Sequence, residues 1–225
     1  MRTVFAGLFM LSCCMGTAMA QQVVRSYRAD VALDIDTQGQ VAHATLPDDL
    51  APMFDAPIQE AVSRWRFKPV MKDGIAVTAR TYARIKLDVL QQAQDKFGVR
   101  VICLSNGPSL TFMQAPKFPA DMMRTRTEGT VQMEAIVQPD GSVTDIRATD
   151  AKISGGRIGG PEHSKDAFRR AALAAMQHMQ AKPEWIDGKP IATAISLPLA
   201  FGLNSAASGS GASGSAVGSA SGTGN

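Results

Sequence analysis

Two stretches of the chain carry the same succession of sequence signals, and this internal repeat constrains the fold more than any other feature. Each stretch has an alternating apolar segment, a glycine turn, a helical pattern, a Lys-Pro and an Asp-Gly dipeptide, and a second alternating segment. The dipeptides are Lys68-Pro69 with Asp73-Gly74, and Lys182-Pro183 with Asp187-Gly188. Asp-Gly dipeptides favour tight turns between strands. The sequence therefore predicts an α+β fold of two β-β-α-β units, each an antiparallel sheet packed by one helix.

The segment that closes the second repeat, residues 195–203, predicts an edge strand. Large apolar side chains occupy its odd positions, whereas its even positions hold Ser, Pro, Ala and Gly. One face therefore suits a core, and the other face is small. The proline, Pro198, has no N–H to donate, so it fits an edge strand better than a central strand. An edge strand with free main-chain groups favours docking of a partner over chemistry.

Two helices are predicted from apolar spacing. Ile58, Ala61, Val62 and Trp65 recur at i, i+3, i+4 and i+7, and the second repeat carries a longer stripe. The second stripe consists of Phe168, Ala171, Ala172, Ala175, Met176 and Met179. We expect both stripes, including Trp65, to face a sheet. Asp55 and Ser164 are the predicted helix starts, because short polar side chains can cap the free N–H groups there.

Three motifs then resemble a known family. Pro116-Lys117-Phe118-Pro119 leads into the second repeat, Trp65-Arg66-Phe67-Lys68-Pro69 follows the first helix, and Pro198-Leu199-Ala200-Phe201-Gly202-Leu203 closes the last strand. Together they resemble the C-terminal domain of the TonB family of periplasmic energy-transducing proteins. The resemblance covers most of residues 29–90 and 114–203, and each copy departs from the family pattern in a different place. Met179, Ala181 and Pro183 replace the tryptophan motif in the second copy.

The resemblance implies a protein-binding module that engages outer-membrane receptors, or their periplasmic segments, through the free edge of the last strand. The expected partner is a protein or peptide, such as an outer-membrane TonB-dependent receptor, and a homodimer remains an open alternative. The residues that this interpretation assigns to the partner site are Lys117, Phe118, Pro119, Ile195, Ser196, Leu197, Leu199, Ala200 and Phe201.

The chain divides into five predicted segments. Residues 1–20 are a signal peptide, 21–90 a degenerate TonB-like unit (the first unit), 91–113 a linker, 114–203 a TonB-like domain (the second unit), and 204–225 a disordered Gly/Ser/Ala tail. Arg2, an apolar run and Ala18-Met19-Ala20 have the order of a secretory signal, so we expect cleavage after Ala20 and a periplasmic protein. Two alternatives remain open, an uncleaved membrane anchor and a lipoprotein modified at Cys14. The first is disfavoured because the apolar run is shorter than the roughly 20 residues of a membrane span.

Removal of the signal would leave Cys103 as the only cysteine. An internal disulfide is then impossible, and its apolar neighbours predict a buried thiol. The formal charge of +3, without a dense basic run, gives no electrostatic footprint for nucleic acid.

No catalytic, metal or cofactor motif is recognisable. The three histidines are scattered, and the Asp34 to Gly39 segment lacks the glutamate of a calcium loop. We therefore expect no enzyme, no metal, no cofactor and no small-molecule substrate. Besides the binding module, the sequence leaves open a structural or scaffold protein of the cell envelope with no role in energy transduction. The proline-rich arm of TonB transducers is missing, which argues against force transmission.

Overall fold

The computed structural model describes residues 22–93, 96–155 and 160–203, and it is a mixed α/β structure in which all strand pairings are antiparallel. The predicted signal peptide, Cys14 and the predicted tail lie outside these residues. The elements are β1 (Gln22–Ile35), β2 (Val41–Thr45), α1 (Ala51–Val62), β3 (Val70–Lys72), β4 (Ile75–Val77), β5 (Ala79–Ala93), β6 (Lys96–Gly107), β7 (Ser109–Phe112), α2 (Ala120–Arg124), β8 (Thr127–Val137), β9 (Val143–Gly155), α3 (Gly160–Met176), β10 (Met179–Lys182), β11 (Trp185–Ile186), β12 (Lys189–Pro190) and β13 (Thr193–Phe201).

The first sheet is built around β5. Strand β1 pairs along one edge of β5 and carries β2 on its far side, while β6 and the short β11 share the other edge. Alternate residues of β5 are buried against α1, whose Phe54, Ile58 and Val62 face the sheet. These three positions lie four residues apart, which places them on one face of the helix.

The second sheet has the order β13-β8-β9 and packs against α3. Buried and half-buried residues alternate without interruption along β8, as expected for a strand with one face in a core. The helix contributes Phe168, Ala172 and Met176 to this core. Both α1 and α3 thus cover one face of an antiparallel sheet.

The order of elements is more elaborate than β-β-α-β. A short hairpin separates the helix from the last long strand in each unit, β3–β4 in the first and β11–β12 in the second. Both hairpins turn at an Asp-Gly pair with positive φ at both residues, 50° and 79° at Asp73-Gly74 and 52° and 70° at Asp187-Gly188. Such turns match the twist of the flanking strands. Residues 91–113, predicted as a linker, contain the end of β5 together with β6 and β7.

The same backbone contact occurs once in each unit, at the turn between its first two strands. In the first unit the N–H of Phe67 donates to the carbonyl of Gly39 at 2.8 Å, and in the second the N–H of Ala181 donates to that of Gly141 at 3.0 Å. Both glycines have positive φ, and a Cβ on either would overlap the carbonyl oxygen of the residue that donates to it. Glycine is therefore required twice for the same reason, close approach of the chain that follows the helix.

Three expectations from the sequence were wrong. Helix α1 begins at Ala51, not at Asp55, because the preceding residues already form a turn on the carbonyl of Pro47. Helix α3 begins at Gly160, and the Ser164 hydroxyl bonds back to the Gly160 carbonyl at 3.3 Å instead of capping the helix. Cys103 is exposed, because β6 is an edge strand with no strand beyond it among the described residues.

Candidate protein-interaction edge

Strand β13 has one open edge. Within residues 22–93, 96–155 and 160–203 it pairs with β8 alone, from Thr193 opposite Val137 to Phe201 opposite Gly129. Strand β5, which pairs with β1 as β13 pairs with β8, has both edges occupied. The second sheet therefore ends in a free nine-residue edge at the position where the first sheet continues into further strands.

The side chains of β13 divide as the alternation predicts. Ile195, Leu197, Leu199 and Phe201 are buried in the core of the second sheet, with at most 3% of each exposed. Ser196 and Ala200 lie on the other face and are half-buried. Four of the nine residues assigned to the partner site thus hold the strand in place through the core.

Phe118, in the segment that precedes the second sheet, packs at the C-terminal end of β13. Phe118 packs edge-on against Phe168, with ring centroids 5.7 Å apart, and against Phe201, with centroids 6.2 Å apart. Edge-to-face aromatic pairs of this kind add to the stabilisation from burial. Pro119 is the N-terminal flanking residue of α2. The structure therefore brings Phe118 and Phe201 together.

Lys117 lies elsewhere in this region. Its side chain is exposed and lines a cleft of about 140 Å³ beside α3, together with Ala171, Ala175 and His178. It does not share the aromatic cluster of Phe118.

Sequence reasoning missed the polar contacts that fix β13. At its end, the N–H of Leu203 donates to Glu128 Oε1 at 2.8 Å, and in its middle Gln132 Nε2 donates to Ser196 Oγ at 2.9 Å. At its start, the Thr193 hydroxyl donates to Glu184 Oε2 at 3.0 Å. These contacts depend on cross-strand register, which no local motif encodes.

Glu184 also links the second unit to the first. The buried Thr81 hydroxyl of β5 donates to Glu184 Oε1 at 2.6 Å, and Trp185 and Ile186 of β11 pair with Arg80 and Ala79 of β5. Next to this pairing, Lys72 Nζ lies 2.9 Å from Asp187 Oδ2. The hydrogen bond with Lys72 lowers the pKa of Asp187, and the same bond raises the pKa of Lys72.

A cleft of about 410 Å³ opens at this junction. Its wall includes Asp34, Arg80 and Trp185, and the guanidinium of Arg80 binds both carboxylate oxygens of Asp34 at 2.6 and 3.0 Å. Both charges are thus satisfied by each other rather than aimed at a ligand. No group of three or more His, Cys, Asp or Glu side chains with metal-binding geometry occurs among the residues described.

None of the helices described is both long enough and apolar enough to cross a membrane. Comparison with protein families gives a match to the Gram-negative bacterial TonB protein C-terminal over residues 18–87. The matched residues span β1 to most of β5, so the match falls on the first unit and not on residues 114–203. No curated protein matches the chain. Residues 18–87 are therefore similar to the TonB C-terminal domain, and the domains of that family are periplasmic protein-interaction modules.

Proposed function

We propose that this protein is a periplasmic binding module that takes an extended peptide of an outer-membrane receptor, or of another envelope protein, by strand addition to β13. One observation carries the proposal: among the described residues β13 has an open edge, whereas its counterpart in the first unit, β5, has both edges occupied. Domains of the matched family interact with proteins such as outer-membrane receptors. In strand addition, main-chain hydrogen bonds supply affinity and alternate side-chain positions supply specificity.

We infer that the second sheet is a further copy of the matched domain. The support is the glycine contact shared by Gly39 and Gly141, the paired Asp-Gly hairpins, and the same strand order around β1 and β8. In the first unit the equivalent edge already pairs with β6 and β11. This internal pairing is a precedent for what the edge of β13 can accept from a partner.

Pro198 sets the pattern of hydrogen bonds available to a peptide. A proline in an edge strand normally turns its nitrogen toward solvent, and alternate residues turn their main-chain groups the same way. On this geometry Ser196 and Ala200 present N–H and C=O groups on either side of Pro198. Their small side chains let a second backbone approach to strand distance, about 4.8 Å.

The substitution Ala200→Pro tests this proposal. It removes one outward N–H while leaving the buried face of β13 unchanged, so we expect capture of periplasmic receptor peptides by the wild type and loss of capture by the variant. Ala200→Ser keeps the N–H and serves as the matched control, with capture expected at the wild-type level. A melting curve of each variant separates loss of binding from loss of folding.

Hydrogen exchange provides a second readout that requires no variant. Peptide binding should slow exchange at the amides of Ser196 and Ala200 but not at those of β2, the opposite edge of the first sheet. Equal capture by wild type and Ala200→Pro, or unchanged exchange at both amides, would remove β13 as the site.

The scaffold function is the second candidate. It is favoured by the pairing of β11 with β5, through which the two units hold each other. A stable dimer with both β13 edges covered, and no peptide capture, would support it.

We further propose that export releases a chain beginning at Gln21. Ala18 and Ala20 suit signal peptidase, and the preceding apolar run is short for an anchor. The intact mass of the protein recovered from the periplasmic fraction gives the position of cleavage. Met1 retained in an inner-membrane fraction would restore the anchor alternative, and a diacylglyceryl mass on Cys14 would restore the lipoprotein alternative.

A further inference from the structure

One end of the first sheet exposes large apolar side chains. Val23 and Val24 at the start of β1 are 44% and 53% exposed, and Phe97 at the start of β6 is 60% exposed. The register places them at the same end of the sheet but on opposite faces, since Val23 lies opposite Leu90 of β5 and Phe97 lies opposite the next residue, Gln91. Strands β1 and β6 flank β5, so the two strands that carry these side chains are about two strand spacings, roughly 10 Å, apart. We call this end, residues 22–28, 86–93 and 96–100, the apolar sheet end.

Cationic side chains surround these apolar groups. Arg25, Arg28, Lys96 and Arg100 are exposed, and Lys86 is half-buried. Residues 22–28 and 86–100 contain five cations against the two carboxylates Asp88 and Asp95, a net charge of +3 that equals the net charge of the whole chain. The carboxylate of Asp88 is only 4% exposed and accepts hydrogen bonds from Ser26 at 2.5 Å and Lys86 at 3.0 Å. It therefore offers little negative charge to the surface.

The charged cross-strand pairs between β1 and β5 change from opposite to like charges at this end. Asp34 and Asp30 lie opposite Arg80 and Arg84, and each pair is a bidentate ion pair. The next charged pair is Arg28 opposite Lys86, two cations directly across from each other. Like charges in this position disfavour the sheet. The ion pair of Lys86 with Asp88 offsets part of that repulsion, and a surface anion beside Arg28 would offset more.

We propose that the apolar sheet end docks on an anionic lipid bilayer. Exposed valine and phenylalanine side chains can enter the boundary between headgroups and acyl chains, and the surrounding cations attract acidic headgroups. The inference is independent of peptide binding at β13.

Vesicle co-sedimentation tests the proposal with the chain from Gln21 to Asn225. We expect sedimentation with phosphatidylcholine vesicles that contain phosphatidylglycerol and none with phosphatidylcholine alone. Binding should weaken strongly in roughly 1 M salt, where charges are screened within about 3 Å. Failure to sediment with the anionic vesicles, or equal binding to both compositions, would overturn the proposal.

Arg28→Glu is the most informative variant. It reverses one surface charge and also converts the Arg28/Lys86 pair into an opposite-charge pair, so the fold should be no less stable. We expect partitioning to anionic vesicles to fall roughly tenfold or more. The matched control is Lys152→Glu, which reverses the charge of an exposed lysine on β9. It changes the net charge of the chain by the same amount as Arg28→Glu, and partitioning should stay close to that of the wild type.

Phe97→Ser tests the apolar part in the same way. Its control is Ile75→Ser, because Ile75 is 69% exposed in the distant β3–β4 hairpin. Only the Phe97 variant should lose binding. Equal losses in variant and control, for either pair, would overturn the assignment of this surface. Concentration-dependent dimerisation that Phe97→Ser abolishes, without vesicle binding by the wild type, would assign the surface to a second copy of the chain instead.

Discussion

Single glycines determine how closely the chain after each helix approaches the first hairpin. Gly39 has a φ of 77°, and its carbonyl accepts the N–H of Phe67. The space that a Cβ would need is occupied by the backbone oxygen of Phe67, which cannot move without breaking this contact. Gly74 has nearly the same φ, 79°, but open space around its Cα. An alanine at Gly74 would therefore suffer backbone strain alone, whereas an alanine at Gly39 would suffer both backbone strain and steric overlap.

Gly39→Ala should destabilise the protein more than Gly74→Ala. The left-handed conformation alone costs an alanine about 1–2 kcal/mol, which applies to both variants. Overlap with the backbone adds about 1–3 kcal/mol at Gly39 only. Denaturant unfolding of the two variants measures the difference, and equal destabilisation would show that the Phe67 contact is not tight.

Asp88 is the buried carboxylate whose titration the structure predicts. Hydrogen bonds from Ser26 and from Lys86 hold its pKa below the ordinary value. A lowered pKa in the folded state means that Asp88 adds stability above the unfolded pKa, about 3.9, and that this stability is lost as the pH falls through the folded pKa.

Ser26→Ala should raise the pKa of Asp88 toward its ordinary value, because it removes the largest cause of the shift. NMR titration of the Asp88 carboxyl carbon measures this directly. Ser26→Thr keeps a hydroxyl and should restore the lowered pKa. An unchanged titration in Ser26→Ala would assign the shift to Lys86 instead.

Some residues behave as local patterns predict, and others do not. The alternation along residues 195–203 identified the buried positions of β13, because a strand with one face in a core has a side-chain period of two. Trp65 instead lies beyond the end of α1 and is half-buried, so it packs against the first core without belonging to the helical stripe. Cys103 has apolar neighbours but lies on an edge strand, and edge position depends on pairing that is distant in sequence.

Glu184, directly before β11, is one of the links between the two units. Glu184 accepts hydrogen bonds from Thr81 of β5 and Thr193 of β13, and both threonines are buried. It therefore fixes the start of the proposed binding strand to the edge of the first sheet.

Glu184→Ala should destabilise the protein by about 2–3 kcal/mol, because hydroxyl groups that bonded to a charged acceptor would remain buried without it. Glu60→Ala is the control, since Glu60 pairs with Arg64 on the surface of α1 and should cost only about 0.3–0.5 kcal/mol. Thermal or denaturant unfolding compares the two. If both variants lose the same stability, the bridge through Glu184 is not a structural link.

Turn chemistry made the strands and hairpins of each unit predictable, but not their partners. The Asp-Gly pairs mark both hairpins in the sequence, whereas the addition of β11 to β5 joins residues more than one hundred positions apart. No local propensity encodes such a pairing. The start of α1 was misplaced for a related reason, since a backbone turn on Pro47 begins this helix without a side-chain cap.

Strand β11, which belongs to the second unit, makes the first sheet depend on that unit. Its two residues complete the edge of β5 beside β6, and Lys72 and Asp187 form an ion pair next to it. Units of about 80 residues are marginal when they fold alone. We therefore expect the two units to unfold together.

A core substitution in the second unit should accordingly be detected by a fluorophore in the first. The chain has two tryptophans, so Trp185→Phe leaves Trp65, which packs against the first core, as the single probe. In that background Met133→Ala, at a fully buried position of β8, should destabilise the second sheet by about 2–5 kcal/mol. The Trp65 fluorescence midpoint should fall by the same denaturant concentration as the circular dichroism midpoint. Met123→Ala, at a site 48% exposed, should move neither. A Trp65 transition that stays in place while circular dichroism shifts would show that the units unfold independently.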